Sequence, residues 1–268
     1  MERRQFLTSS LAASALAIGA PGTLMGAQES AGANAREFYQ LRWYRLKRGP
    51  QTKLTDDYLR DALVPALNRM EIKPVGVFNL AIGPETPSMY VLMPSLSAEA
   101  LLNVENRLMK DDEFMKAGAP FLNAPAKEPS VVRIESWLMQ AFEKAPRLKV
   151  PAATAAKSPR VYELRTYESP SIQDHVRKIE MMSSGEGDIF SKNGFWQIFY
   201  SDTIVGARLP NLIYMLGFEN LGEREKKWAA FLAAPEWKAI SSNPRYAYED
   251  IVSNITNVIL TPTAYSQI

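Results

Sequence analysis

The sequence reads as an α+β protein: two βαββαβ units in tandem, packed sheet to sheet so that one chain closes into a barrel with its helices outside. Three observations carry that reading. A strand is written twice, as YQLRWY at Tyr39–Tyr44 and as YELRTY at Tyr162–Tyr167, 123 positions further on. The patterns that follow each copy come in the same order. Of the 268 residues, 46% are hydrophobic, including five Trp, eleven Tyr and eleven Phe, enough for a large shared core.

The first unit spans residues 36–142 and the second 160–268. Between them EKAPRLKVPAATAAKSP (Glu143–Pro159), rich in Ala, Pro and Lys without periodicity, reads as a linker. Each unit opens with the repeated strand. A helix should follow. In TDDYLRDALVPALNRM the residues Leu59, Leu63, Leu67 and Met70 share one helical face, Thr55 suits an N-cap, and Pro65 should kink or split the helix. In the second unit Ile172, Val176 and Ile179 form the stripe, and SSGEG at Ser183–Gly187 should break the helix. Two strands in hairpin order come next: PVGVFNLAI and SMYVLM around GPETP, then FWQIFY and NLIYML around a Gly- and Pro-containing joint. A second helix covers residues 98–116 and 223–240, and a closing strand covers 131–139 and 251–260. This is the ferredoxin-like order, which leaves one face of each sheet bare. Two copies in one chain can cover each other.

Side chains alternate across a strand. Tyr39, Leu41 and Trp43 share a face, as do Tyr162, Leu164 and Thr166; this apolar-leaning set is expected under the helices. The mixed sets, Gln40, Arg42 and Tyr44 with Glu163, Arg165 and Tyr167, are then expected inside the barrel. A buried arginine must be paired, so Arg42 and Arg165 should meet Glu163, Gln40, Glu135 or a ligand there. Arg42, Tyr44, Glu163, Arg165 and Tyr167 are thus the candidate interior or ligand-binding residues.

The absences narrow the chemistry. There is no Cys and a single His, His175, so thiol nucleophiles and cysteine-held clusters are excluded for want of ligands. His175 is the one histidine available as a general base or haem ligand, yet its spacing from Ile172 and Ile179 suits a packed helix position. Asp56-Asp57 and Asp111-Asp112-Glu113 fit helix ends rather than a metal, and no metal site is expected. The net charge of +2, without long runs of one sign, gives no reason to expect nucleic acid as a partner.

The start of the chain reads as an address. Arg3 and Arg4 precede Gln5, Phe6 and Leu7, then a weakly apolar, Ala- and Ser-rich stretch. Residues 1–35 resemble a twin-arginine signal peptide with a short linker, too short in its apolar part for a membrane span. That resemblance implies a bacterial protein exported already folded to the periplasm or beyond, with no integral span in the mature chain.

VYELRTYES, YLRDALVPALNRMEIKPVGVF (Tyr58–Phe78) and AAPEWKAI (Ala233–Ile240), set in the repeated unit, resemble the NIPSNAP family, in particular exported bacterial proteins with tandem NIPSNAP domains. The resemblance covers nearly all of residues 36–268 and implies the dimeric α/β-barrel fold, here within one chain. Eukaryotic members are associated with mitochondria, vesicular transport and protein–protein interaction, and no agreed catalytic set comes with the family. Gln40 departs from the family strand where the second copy has Glu163. Two functional expectations follow. One is a non-catalytic binding protein with an unidentified protein or small-molecule partner, no cofactor, and a monomer as default. The other is a cavity enzyme, haem-dependent or a cofactor-free monooxygenase, with His175 as its candidate residue.

Overall fold

The structure is a computed structural model and describes residues 35–268. The signal residues Arg3, Arg4, Phe6 and Leu7 lie outside the described residues. Eight antiparallel strands close a barrel in the order β1-β3-β2-β8-β5-β7-β6-β4. The first unit supplies β1 (Phe38–Arg45), β2 (Gly76–Ile82), β3 (Ser88–Ser95) and β4 (Arg133–Ala141). The second supplies β5 (Val161–Glu168), β6 (Trp196–Val205), β7 (Asn211–Phe218) and β8 (Asn254–Pro262). Within each unit the strand pairings repeat; between units, β4 pairs β6 and β2 pairs β8, and these two seams close the sheet.

The repeat is close. β1 and β5 lie 123 positions apart, as do β3 and β7, while β4 and β8 lie 121 apart. After β1 run α1 (Pro50–Tyr58), a π-helical turn (Leu59–Leu63) and α2 (Val64–Arg69). Between β3 and β4 lie four short helices: α3 (Ala98–Leu102), α4 (Val104–Leu108), α5 (Asp112–Ala117) and α6 (Ala119–Leu122). The stretch joining the units carries α7 (Ala152–Ala155). After β5 run α8 (Ile172–Met181), a second π-helical turn (Met182–Glu186) and α9 (Gly187–Lys192). Between β7 and β8 stand α10 (Leu221–Ala233), α11 (Pro235–Ser241) and α12 (Tyr248–Ile251).

The two faces of the repeated strand are exchanged relative to the sequence expectation. Tyr39, Leu41, Trp43, Tyr162 and Leu164 fill the barrel lumen with Phe78, Tyr90, Leu92, Phe199, Met215 and Leu260. The mixed set, including Arg42, Tyr44, Glu163, Arg165 and Tyr167, lies between sheet and helices and not in the lumen. The reason is supply. A lumen walled by strands offers these arginines an apolar environment, whereas helices can lower a long charged side chain from their rim into the layer beneath. The more apolar face therefore takes the enclosed side.

The helices correct two further expectations. α1 begins at Pro50, so Thr55 is not an N-cap; it is buried and its hydroxyl donates to the Ser130 carbonyl at 3.0 Å. Pro65 stands in the first turn of α2, and the π-helical turn ahead of it, where the Val64 N–H reaches back to the Leu59 carbonyl, divides the helix into α1 and α2 as expected. On α8, Ile172 and Val176 are 71% and 51% exposed, and the buried face is His175, Lys178 and Met181. That face is turned inward because the strand layer it meets is polar. SSGEG does break the helix, with Gly185 at φ 135°.

Leu260→Ala, in the lumen, should cost about 2–5 kcal/mol. Val176→Ser, on the former stripe, should stay within about 0.5 kcal/mol of the parent. Urea unfolding followed by tryptophan fluorescence reads both.

Candidate functional site

In the second unit the layer beneath the helices is built around Glu163, which is fully buried. Arg165 on the same face of β5 donates to it through Nη1 at 2.7 Å. From α10, Arg224 donates through Nη2 at 2.6 Å and Nε at 3.0 Å, and Trp228 through Nε1 at 2.8 Å. Burial alone would raise the Glu163 carboxyl, but the Arg224 hydrogen bonds and the Arg165 and Arg224 charges outweigh it and hold it below the usual range. Arg165 in turn donates through Nη2 to the Tyr167 hydroxyl at 2.8 Å and lies 4.5 Å from the Trp228 ring centre.

A second ion pair extends the layer. Lys178 on α8, fully buried, stands 3.2 Å from Glu186, itself 3% exposed, on the π-helical turn. Its Nζ is 5.1 Å from the Tyr167 ring centre. Tyr214 donates to the Tyr167 hydroxyl at 3.2 Å and stacks on Tyr200, ring centres 5.4 Å apart. Burial, and then the Glu186 charge, push the Tyr200 phenol well above its ordinary value.

The first unit answers position by position, 123 residues earlier. Arg42 and Tyr44 are kept. Arg42 finds its carboxylate on α4, Glu105 Oε1 at 2.6 Å, at the place of Trp228, and its Nη2 donates to Gln40 Oε1 at 3.1 Å. Gln40 for Glu163 is therefore no loss, since the carboxylate has moved from strand to helix. Glu135, an expected partner of Arg42, pairs with Arg45 at 3.1 Å. At the places of Lys178, Glu186, Tyr200 and Tyr214 stand Thr55, Leu63, Val77 and Val91, so the second ion pair and the tyrosine stack belong to the second unit alone.

A cleft of about 540 Å³ opens beside that stack. Its floor is Phe142, Met182 and Tyr200, and Gln197 accepts the Tyr200 hydroxyl at 2.8 Å. One wall is the π-helical turn with Ser183, Ser184 and Gly185, continued by Gly187 at the start of α9. The opposite wall is the joining stretch, held to β6 by Phe142 N–H to Tyr200 O at 3.0 Å and Lys149 N–H to Ile198 O at 2.8 Å. Glu37 fixes that stretch by accepting from the Leu148 N–H at 2.7 Å.

The C-terminal segment does the matching job in the first unit, with Thr263 N–H to Val77 O and Gln267 N–H to Val75 O, both at 3.0 Å. There Tyr265 packs into the helix-side core and donates to Asp56 Oδ1 at 2.7 Å. By the offset that relates β4 to β8, Tyr265 corresponds to Lys144. One side of the barrel carries a ring where the other carries a flexible cation at an open cleft.

The candidate residues thus divide. Arg165, Glu163 and Tyr167 come together; Arg42 and Tyr44 form a separate copy across the barrel. His175 is buried on α8 with Nε2 2.7 Å from Asp202 Oδ1 and lines no part of the cleft. With Nε2 so engaged and Nδ1 buried, it does not fit an axial haem ligand. Among the described residues no group of three His, Cys, Asp or Glu could hold a metal ion. Sequence reasoning missed Lys178, Glu186, Tyr200 and Tyr214. The signal was present, because aligning the copies at 123 positions shows aliphatic residues or threonine in one and charges or phenols in the other.

Glu163 gives the site a pH signature. A carboxylate whose folded pKa lies below its unfolded value, about 4.3, stabilises the fold above that value, and the contribution is lost as pH falls through the folded value. Glu163→Gln should cost about 3 kcal/mol at pH 7. It should also flatten the decline in stability below about pH 4, measured by urea unfolding across pH.

The NIPSNAP family model matches residues 162–267. Among solved structures, a candidate monooxygenase from Lactobacillus acidophilus NCFM superposes with TM-score 0.56 at 8% identity, covering 85% of this chain and 94% of its own. A candidate monooxygenase from Fusobacterium nucleatum gives TM-score 0.54 at 10% identity, covering 85% and 93%. At these identities the likeness concerns the fold alone. An uncharacterised NIPSNAP-like domain protein from Burkholderia xenovorans is 23% identical over 40% of this chain and 88% of its own, with TM-score 0.36. No curated protein matches the chain. Residues 162–267, which carry Glu163, Arg165, the Lys178–Glu186 pair and the tyrosine stack, belong to the NIPSNAP family.

Proposed function

We propose that this chain is an exported, non-catalytic binding protein whose small-molecule ligand lies in the cleft of the second unit. One observation carries the reading: the duplicated fold keeps its helix-side layer in both halves but opens a cleft beside Tyr200, where the first half places Val77 and the packed ring of Tyr265. The volume lies within the range of small-molecule sites. Its floor is apolar and aromatic, its walls carry hydroxyls and backbone, and both walls are held by main-chain hydrogen bonds. Export is supported by Arg3-Arg4 followed by Phe6-Leu7 and a weakly apolar stretch. Among the described residues no helix is long and apolar enough to cross a membrane. A cavity oxygenase, in the manner of the candidate monooxygenases that share the fold, would draw on His175, which is not at the cleft.

Gly187 lines the cleft at helical φ and ψ of −60° and −37°, and a Cβ there would meet nothing nearer than Gln197 Oε1 at 3.4 Å. Gly187→Leu should therefore fill the cleft while leaving the fold intact. A small-molecule library screened by thermal shift should yield compounds that stabilise the parent and not this variant. If every stabilising compound acts equally on both proteins, or none stabilises the parent, the cleft is not the binding site.

A further inference from the structure

We infer that the cleft selects an organic anion: a flat, largely apolar body carrying one carboxylate, sulfonate or comparable head. The inference rests on the cleft being the binding site and adds the class of ligand. The charges at the cleft are unequal. Three cations line it, Lys144, Arg147 and Lys149, against one acid, Asp188. All three cations stand on the joining-stretch wall, while Asp188 sits on α9 across from them.

The cations differ in their commitments. Arg147 approaches Glu37 at 3.8 Å, beyond hydrogen-bond length. Glu37 is already engaged by the Leu148 N–H at 2.7 Å and the Tyr39 hydroxyl at 3.0 Å. Among the described residues no ion pair is recorded for Lys144 or Lys149, whereas Lys178 and Lys192, on the same unit, are both paired to glutamates. The Lys149 main chain is pinned to β6, so its side chain starts from a fixed point on the rim.

The remaining lining suits the rest of such a molecule. Phe142, Met182 and Tyr200 provide an apolar and aromatic bed. A neutral apolar ligand would use this bed and leave the cationic wall idle; a cation would face that wall. An anion with a flat body uses both, and its head can take charge-assisted hydrogen bonds from the lysines. The first unit offers no such arrangement, since Tyr265 stands where Lys144 does and donates to the acid Asp56.

Two fluorescent probes that share an anilinonaphthalene body separate the alternatives. 8-Anilino-1-naphthalenesulfonate carries the anionic head, and N-phenyl-1-naphthylamine lacks it. The parent should bind the sulfonate about tenfold more tightly, a preference that shrinks with added salt. Lys144→Gln with Lys149→Gln should bring the sulfonate to the level of the neutral probe and leave the neutral probe unchanged. Gly187→Leu should lose both. Equal binding of the two probes to the parent overturns the anion inference and leaves the cleft standing, and a sulfonate preference that survives the double substitution overturns the assignment of the head to Lys144 and Lys149. Binding of both probes to Gly187→Leu as strongly as to the parent, or of neither to the parent, overturns the cleft itself.

Discussion

An arginine written into the middle of a strand that will be covered on both faces sets the terms for this fold. Its charge cannot be shed, so the layer above it must contain a carboxylate. The second half supplies Glu163 from the same strand and brackets it with Arg224 and Trp228 from α10. The first half supplies Glu105 from α4. Each solution fixes how a helix sits on its sheet, because the partner atoms meet only in one register. The helices are thus located by polar contacts within a layer whose remaining area is apolar.

With the charges drawn to the helix side, the lumen is free to be filled by rings and branched chains from all eight strands. The lumen is the shared core that joins the halves, and the seams β4–β6 and β2–β8 carry their hydrogen bonds across. The closed centre of the barrel is largely filled and keeps a cavity of about 80 Å³ beside Trp43, Tyr90 and Leu164. The larger space, about 540 Å³, lies at the periphery, where a broken helix and the joining stretch leave a gap over β6.

The tandem architecture was legible because it depends on order and alternation, which the residues display directly: the repeated strand, the hairpins and the break at SSGEG all appear in place. Which face turned inward was not legible from one strand, since Tyr39-Leu41-Trp43 and Arg42-Tyr44 both suit burial. The choice lay with partners such as Glu105, Arg224 and Trp228, distant in sequence. The stripe of Ile172 and Val176 misled for the same reason. Periodicity reports an apolar face, yet α8 buries Lys178 because Glu186 and Tyr167 await it. The cleft was the least legible feature, because it is made where Tyr265 is replaced by Lys144 in a stretch that lacks any pattern of its own.

Fusion of the two units has a consequence for how the cleft can behave. A barrel assembled from two identical chains carries every site twice, related by symmetry, and any change to one is a change to both. Here one copy is filled by the chain's own C-terminal segment and the other is left open. On the reading proposed above, each chain then offers one such site, with no second copy of it among the described residues. If the cleft binds as proposed and the chain acts alone, its occupancy should follow a simple hyperbola at one ligand per chain, with affinity set by that cleft rather than by coupling between equivalent partners.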